Sequence, residues 1–233
     1  MGYEVLKCDN AGIARCAEII KGGGIVVYPT DTVYGIGCDP CNDKAVERVF
    51  EIKKRSGSKA LPVLVRNLAT ADGLVTMGPL SRLLAGRFWP GGLTLLAPIR
   101  KPSRISRNVT AGSEYLAVRV PANDCLLQVL ERVGMIVGTS ANPSGSATCA
   151  SAKEITASGL GGFDAVLDGG EIAASGVEST IVQEQMPYGN FSSLEFTDLT
   201  GRIQILRHGA VSDSDLESFL RSALRPEPRE EAT

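Results

Sequence analysis

Apolar residues in this chain recur at two spacings that take turns along its length. Ile13, Ala14, Ala17 and Ile20 sit three and four apart, which predicts a helix opened by Asn10 and closed by Gly22. A second helix is predicted from Lys44 to Lys54, capped by Asn42 and Asp43, with Val46, Val49, Phe50 and Ile52 turned mostly inward. Shorter helical patterns run from Leu68 to Val75 and from Asp124 to Val133, and Pro79 suits the first position of one reaching Phe88. Ser151 and Glu154 form a capping box for another short helix, and Ser212 and Asp213 open a last one to about Leu224.

Compact apolar runs of strand length lie between these helices. Tyr3 to Leu6, Ile25 to Tyr28, Leu61 to Val65, Leu93 to Ile99 and Tyr115 to Val120 read as strands, followed by Met135 to Gly138, Ala165 to Leu167, Thr180 to Gln183 and Ile203 to Leu206. Helices and strands interleave, yet several strands follow one another closely, so a mixed, twisted α/β sheet is expected rather than a wholly parallel one. No repeat or low-complexity tract divides the chain. Residues 1–224 read as a single domain and 225–233 as a disordered tail.

Composition narrows the classes of function. The 233 residues carry a net charge of −2, too little for a global field that gathers nucleic acid. A weak RNA contact would need a local patch, such as Arg100 to Arg107 or Lys53 to Lys59. The first residues lack a basic segment followed by an apolar run, and no later segment approaches membrane-spanning length. A cytoplasmic protein with no membrane partner is expected. Cys8, Cys16, Cys38, Cys41, Cys125 and Cys149 are spread thinly over a chain too long to need a disulfide framework, which predicts reduced thiols. Cys38-x-x-Cys41 lacks a second such pair, and His208 is the sole histidine, so a protein-held metal site is not expected.

Familiar nucleotide and hydrolase motifs do not fit. Gly22-Gly23-Gly24 precedes a strand, Gly35-x-Gly37 meets Pro40 where a dinucleotide fingerprint needs glycine or alanine, and neither GxxxxGK[ST] nor G-x-S-x-G occurs. What remains polar and suggestive is local. Two strands end in hydroxyl-rich stretches, Pro29-Thr30-Asp31-Thr32 and Thr139-Ser140-Ala141-Asn142. Lys53-Lys54-Arg55 closes a helix and leads into a flexible loop, a setting that suits a polyphosphate or simply a solvated helix end. Arg119 alternates with Val118 and Val120, so it either sits on an exposed face or is buried opposite an anion.

Taken together, PTDTVYG, KKR followed by LPVLV, WPGGLTLL, VTAG, AVRVPA, TSANPSG, DGG and GVESTIV occur in one order between Gly22 and about Gly209. In these motifs the chain resembles the YrdC-like family of threonylcarbamoyl-AMP synthases, in a short form without the extra C-terminal domain of longer members. Ala60 stands where the family usually has proline, and Arg207-His208-Gly209 replaces the commoner Arg-Pro-Gly.

The resemblance implies a YrdC-like twisted mixed sheet with flanking helices and a large open cavity. It also implies a nucleotidyltransferase that forms threonylcarbamoyl-AMP and pyrophosphate from L-threonine, bicarbonate and ATP, the first step toward threonylcarbamoylated adenosine 37 in tRNA. By the same resemblance Lys53 and Arg55 are the catalytic cations on the phosphates, and Ser140, Asn142, Thr148 and Arg207 are further ATP contacts. Thr30, Arg119 and Ser179 match positions that hold threonine. Magnesium would come with ATP, and a downstream tRNA threonylcarbamoyl transferase complex would take the product. Two alternatives stay open: a carbamoyl-transfer domain of the kind found inside larger enzymes, and an RNA-binding or ribosome-associated module.

Overall fold

The computed structural model describes residues 2–54, 57, 59–143, 145–172, 176–185 and 202–223. Arg55, Ser56 and Ser58, and the expected 225–233 tail, lie outside these residues.

The chain begins with β1 (Glu4–Lys7), α1 (Asn10–Lys21), β2 (Val26–Tyr28), β3 (Gly35–Gly37), α2 (Asp43–Lys53) and β4 (Val63–Val65). It continues with α3 (Leu68–Leu74), α4 (Pro79–Phe88), β5 (Leu93–Pro98), β6 (Tyr115–Arg119), α5 (Asp124–Val133), β7 (Met135–Val137) and β8 (Thr139–Ser140). Then come α6 (Ala152–Ala157), β9 (Ala165–Asp168), β10 (Thr180–Glu184), β11 (Ile203–Arg207) and α7 (Asp213–Ala223). Most helix boundaries follow from capping chemistry. Asn42 accepts from Ala45 N at 3.2 Å, Asn123 from Leu126 N at 3.0 Å and Ser151 from Glu154 N at 3.2 Å. At α1 the cap is Asp9 instead of the expected Asn10, its carboxylate taking the N–H of Gly12 at 2.8 Å.

The mixed architecture is divided between two sheets, a division not visible in the sequence pattern. One sheet has the order β1-β9-β2-β3-β8 and the other β11-β10-β5-β6-β4-β7. In the first sheet two parallel pairs (β1 with β9, β9 with β2) are followed by two antiparallel ones (β2 with β3, β3 with β8), whereas in the second antiparallel pairs (β11 with β10, β5 with β6, β4 with β7) alternate with parallel ones (β10 with β5, β6 with β4). Strand periodicity splits the core in two. Ile25 and Val27 belong to the large cluster shared with α2 and the second sheet, whereas Val26 and Tyr28 join α1 and α5 in a smaller one.

β3 was not expected, because two of its three residues are glycines. A Cβ at Gly35 would lie 2.6 Å from the Tyr28 ring, and one at Gly37 would lie 1.8 Å from the carbonyl oxygen of Val137. Tyr28 and Val137 are themselves joined, the phenol donating to that carbonyl at 2.6 Å. The two glycines therefore make room for a buried tyrosine that ties β2 to β7.

The expectation of reduced thiols is corrected at one pair. Cys8 and Cys125 are disulfide-bonded with Cα atoms 5.7 Å apart, although 117 residues separate them in sequence. The cause is tertiary: α1 packs on α5, which brings the residue just ahead of one helix to the first turn of the other. Cys16, Cys38, Cys41 and Cys149 are free thiols, so Cys38 and Cys41 are not joined to each other. No helix among the described residues is long and apolar enough to cross a membrane.

Candidate functional site

A cleft opens where strand ends from both sheets meet, enclosing about 570 Å³ when its open mouth is included. The end of β2 contributes Thr30 and Thr32, β5 Thr94, β6 Arg119, β8 Ser140, the approach to β10 Glu178 and Ser179, and β11 Arg207. Ligand sites collect at such strand ends because backbone and side-chain polar groups there are released from the ladder.

Arg119 is the most constrained charge in the cleft. It is 5% exposed and donates from Nε to the Gly91 carbonyl at 2.9 Å, from Nη1 to Thr32 Oγ1 at 3.0 Å and from Nη2 to Asp31 Oδ1 at 2.7 Å. Of the two readings its alternation allowed, burial opposite an anion is the one found. Burial pulls its pKa down, Asp31 opposes that, and the neighbouring Arg207 adds to it, so two guanidiniums share this cleft. Three of the five guanidinium N–H groups are engaged among the described residues, leaving one on each terminal nitrogen for a carboxylate.

Around this arginine runs a network of hydroxyls. Thr32 Oγ1 lies 3.1 Å from Thr30 Oγ1, and Thr30 in turn donates to the Val33 carbonyl at 2.6 Å while accepting from the Thr32 and Val33 N–H groups. Thr30 therefore shapes the turn after β2 as well as lining the cleft. Ser179 Oγ lies 2.7 Å from Thr94 Oγ1 and accepts from Arg207 Nη2 at 3.1 Å. Arg207 is fixed further by Glu178 Oε2 at 2.5 Å and by the Ser179 carbonyl at 3.0 Å.

Lys53 is 2% exposed, so it is no solvated helix end. Its ammonium donates to the backbone carbonyls of Ser140 and Asn142, the latter at 2.9 Å, and so joins the last residue of α2 to the turn after β8. Lys54, by contrast, is exposed and caps α2 in the left-handed region with φ 49°. Asn142 is 6% exposed; its Nδ2 donates to the Pro143 and Ser146 carbonyls, and its buried Oδ1 has no hydrogen-bond partner among the described residues.

Not every expected contact residue reaches the cleft. Thr148 is half-buried, donates to the Gly176 carbonyl at 2.8 Å and does not line the cavity; Lys53 and Asn142 do not line it either, packing behind Ser140, and Arg55 lies outside the described residues. His208 is exposed at the surface with Nδ1 2.9 Å from Asp213 Oδ1. In the basic run considered for RNA, Arg100 Nε donates to the Asp72 and Val75 carbonyls and Lys101 pairs with Glu114. Sequence reasoning assigned no role to Asp31, Thr32, Thr94 or Glu178. Thr94 carried a signal, being a hydroxyl inside the apolar run Leu93 to Leu96, and Asp31 and Thr32 lay within a motif already singled out.

Residues 18–193 match the family model of the Sua5, YciO and YrdC proteins, described as "Telomere recombination". A Bacillus subtilis protein named threonylcarbamoyl-AMP synthase is 34% identical over 179 residues, covering 76% of this chain and 51% of that one. A Pyrococcus abyssi protein of the same name is 36% identical over 178 residues, covering 76% and 52%. The chain thus spans about half the length of these curated relatives. Among solved structures, P. abyssi Sua5 complexed with L-threonine superposes with a TM-score of 0.79 at 29% identity, over 94% of this chain and 61% of that one.

Proposed function

Because the chain belongs to the Sua5, YciO and YrdC family, we propose that it is an L-threonylcarbamoyladenylate synthase, and that the cleft at Arg119 is where its amino-acid substrate sits. The observation that carries this reading is the buried guanidinium with one N–H left on each terminal nitrogen, set among hydroxyls. A carboxylate is the ligand such a group recognises, and hydroxyls beside it suit a β-hydroxy amino acid. The P. abyssi relative complexed with L-threonine supports the same assignment.

In this reading Arg119 pairs with the threonine carboxylate, and Thr30 and Ser179 close around the rest of the amino acid. The threonine amine adds to carbon dioxide with loss of a proton, or to bicarbonate with loss of water, and an oxygen of the resulting carbamate attacks the α-phosphorus of ATP, with pyrophosphate as the leaving group. No enzyme nucleophile is needed, so the protein contributes positioning and charge neutralisation. Arg207 faces the nucleotide from β11. Lys53 holds the turn that carries Ser140 and Asn142 and places its charge beside the phosphates bound there; Arg55 joins it by the family pattern.

Magnesium does not fit as a protein-held ion here. No group of three or more His, Cys, Asp or Glu among the described residues could hold a metal, and Glu178, the one carboxylate among the described residues lining the cleft, is paired with Arg207. The ion is assigned to the nucleotide, and none of the steps above depends on it. The product, a reactive mixed anhydride, would pass to a tRNA threonylcarbamoyl transferase in the cytoplasm.

Pyrophosphate release from ATP, measured with threonine and bicarbonate omitted in turn, tests the proposal. Release that needs both is expected, and Arg119→Ala should raise the KM for threonine. RNA binding with no such release would overturn the reading in favour of a binding module.

A further inference from the structure

We propose that Asp31 is the positioning residue of this site: it aims the Arg119 guanidinium at the amino-acid carboxylate, an inference that rests on the threonine site proposed above. Asp31 Oδ1 accepts two hydrogen bonds, from Arg119 Nη2 at 2.7 Å and from the backbone N–H of Ala122 at 2.9 Å. One oxygen therefore fixes both the tip of the arginine and the chain three residues beyond it, where β6 turns toward α5. The side chains of both partners are largely shielded, at 7% exposure for Arg119 and 17% for Asp31.

Two effects of opposite sign follow from this placement. As an acceptor of fixed position, Asp31 selects the rotation of the guanidinium and so which of its N–H groups remain for a ligand. As an anion, it neutralises the same arginine and repels an incoming carboxylate. Alignment dominates, because a carboxylate bound through two N–H groups depends on their direction more steeply than on net charge. Thr32 and Gly91 hold the other two guanidinium nitrogens and restrain its position, but neither braces the Ala122 turn. Asp31 alone does both among the described residues.

The two effects separate experimentally. Asp31→Asn keeps an acceptor in place for both donors and removes the charge, so its KM for threonine should match the wild type or fall below it. Asp31→Glu keeps the charge and displaces the acceptor by a methylene, so its KM should rise roughly tenfold or more, with kcat and the KM for ATP nearly unchanged. Asp31→Ala should resemble Asp31→Glu if it folds, but the Asn and Glu pair decides the question without it. In an Arg119→Ala background the Asp31→Glu substitution should have no further effect on KM. An Asp31→Glu enzyme with wild-type KM, an Asp31→Asn enzyme as impaired as Asp31→Glu, or a uniform fall in kcat and both KM values would overturn the assignment. Wild-type enzyme that releases no threonine-dependent pyrophosphate would instead overturn the function proposed above, so the two failures are distinguishable.

Discussion

The ammonium of Lys53 lies 2.9 Å from the carbonyl oxygen of Asn142, 89 residues further along the chain. A cation that a helix end would ordinarily offer to water is thereby built into the floor of the turn that follows β8. Replacing it removes a charged donor from two backbone carbonyls, one of them buried. Lys53→Ala should cost about 1–3 kcal/mol of stability as well as roughly 10²–10³ in turnover, whereas Lys54→Ala should stay within about 0.5 kcal/mol and keep its activity. Thermal unfolding and threonine-dependent pyrophosphate release on both variants make the comparison. A Lys53→Ala protein that melts with the wild type would contradict the clamp.

Lys54 offers a prediction of its own. At φ 49° it occupies the left-handed conformation that an L side chain adopts at a cost and glycine adopts freely. Lys54→Gly should leave activity alone and stabilise the end of α2 by a few tenths up to about 1 kcal/mol, the gain being limited by the greater freedom of glycine in the unfolded chain. A midpoint in urea lower than that of the wild type would show that the side chain contributes more than the backbone loses.

The start of α4 depends on a residue from the other end of the fold. Glu184, 6% exposed on β10, accepts the N–H of Ser81 at 2.9 Å and fills the space beside Gly78, where a Cβ would come within 2.3 Å of its carboxylate. An anion at a helix N-terminus is favourable, and here it also replaces the side-chain cap that Gly78 cannot provide. Gly78→Ala should destabilise by roughly 1–3 kcal/mol in the wild type and by clearly less in a Glu184→Ala background, since the clash and the lost cap share one group. Strict additivity in that double-mutant cycle would count against the shared cause.

Two buried thiols set an alkaline limit. Burial pushes Cys16 and Cys38 from the ordinary 9.0 up to about 12, with Asp39 reinforcing the shift at Cys38. Below about pH 9 both are protonated whether the chain is folded or not; between about 9 and 12 the unfolded chain ionises first, so stability falls as pH rises through that window. The melting temperature of a Cys16→Ala, Cys38→Ala variant should therefore decline less steeply across the window than that of the wild type. Parallel declines would mean that other groups carry the alkaline loss.

Much of this was legible in the sequence where a local rule sufficed. Asn42, Ser151 and Pro79 mark helix starts because capping is decided within four residues, and their helices lie where the pattern put them. Gly35-Ile36-Gly37 escaped notice because glycine weakens a strand signal, and the reason for those glycines, the ring of Tyr28, is visible only in three dimensions. The hydroxyl and guanidinium groups of the cleft could be chosen from motifs, but their order could not. That Arg119 faces Asp31, and that Lys53 reaches Ser140 and Asn142 across 87 and 89 residues, are consequences of strand order, which short-range patterns do not encode.

The bond between Cys8 and Cys125 changes the covalent topology of the molecule, from a line to a closed ring carrying two tails. Residues 8–125 form the ring, with Asp31, Lys53 and Arg119 inside it, while Ser140, Ser179 and Arg207 belong to the longer tail. A protease that cuts once within the ring leaves a single molecule of unchanged composition apart from one added water, and its two pieces part only when a reductant opens the bond. A single cut after Cys125 releases a fragment at once. Limited proteolysis run on paired reducing and non-reducing gels would thus sort every accessible cleavage site by whether it lies inside the ring or in a tail, and a nicked ring would keep both halves of the cleft within reach of each other.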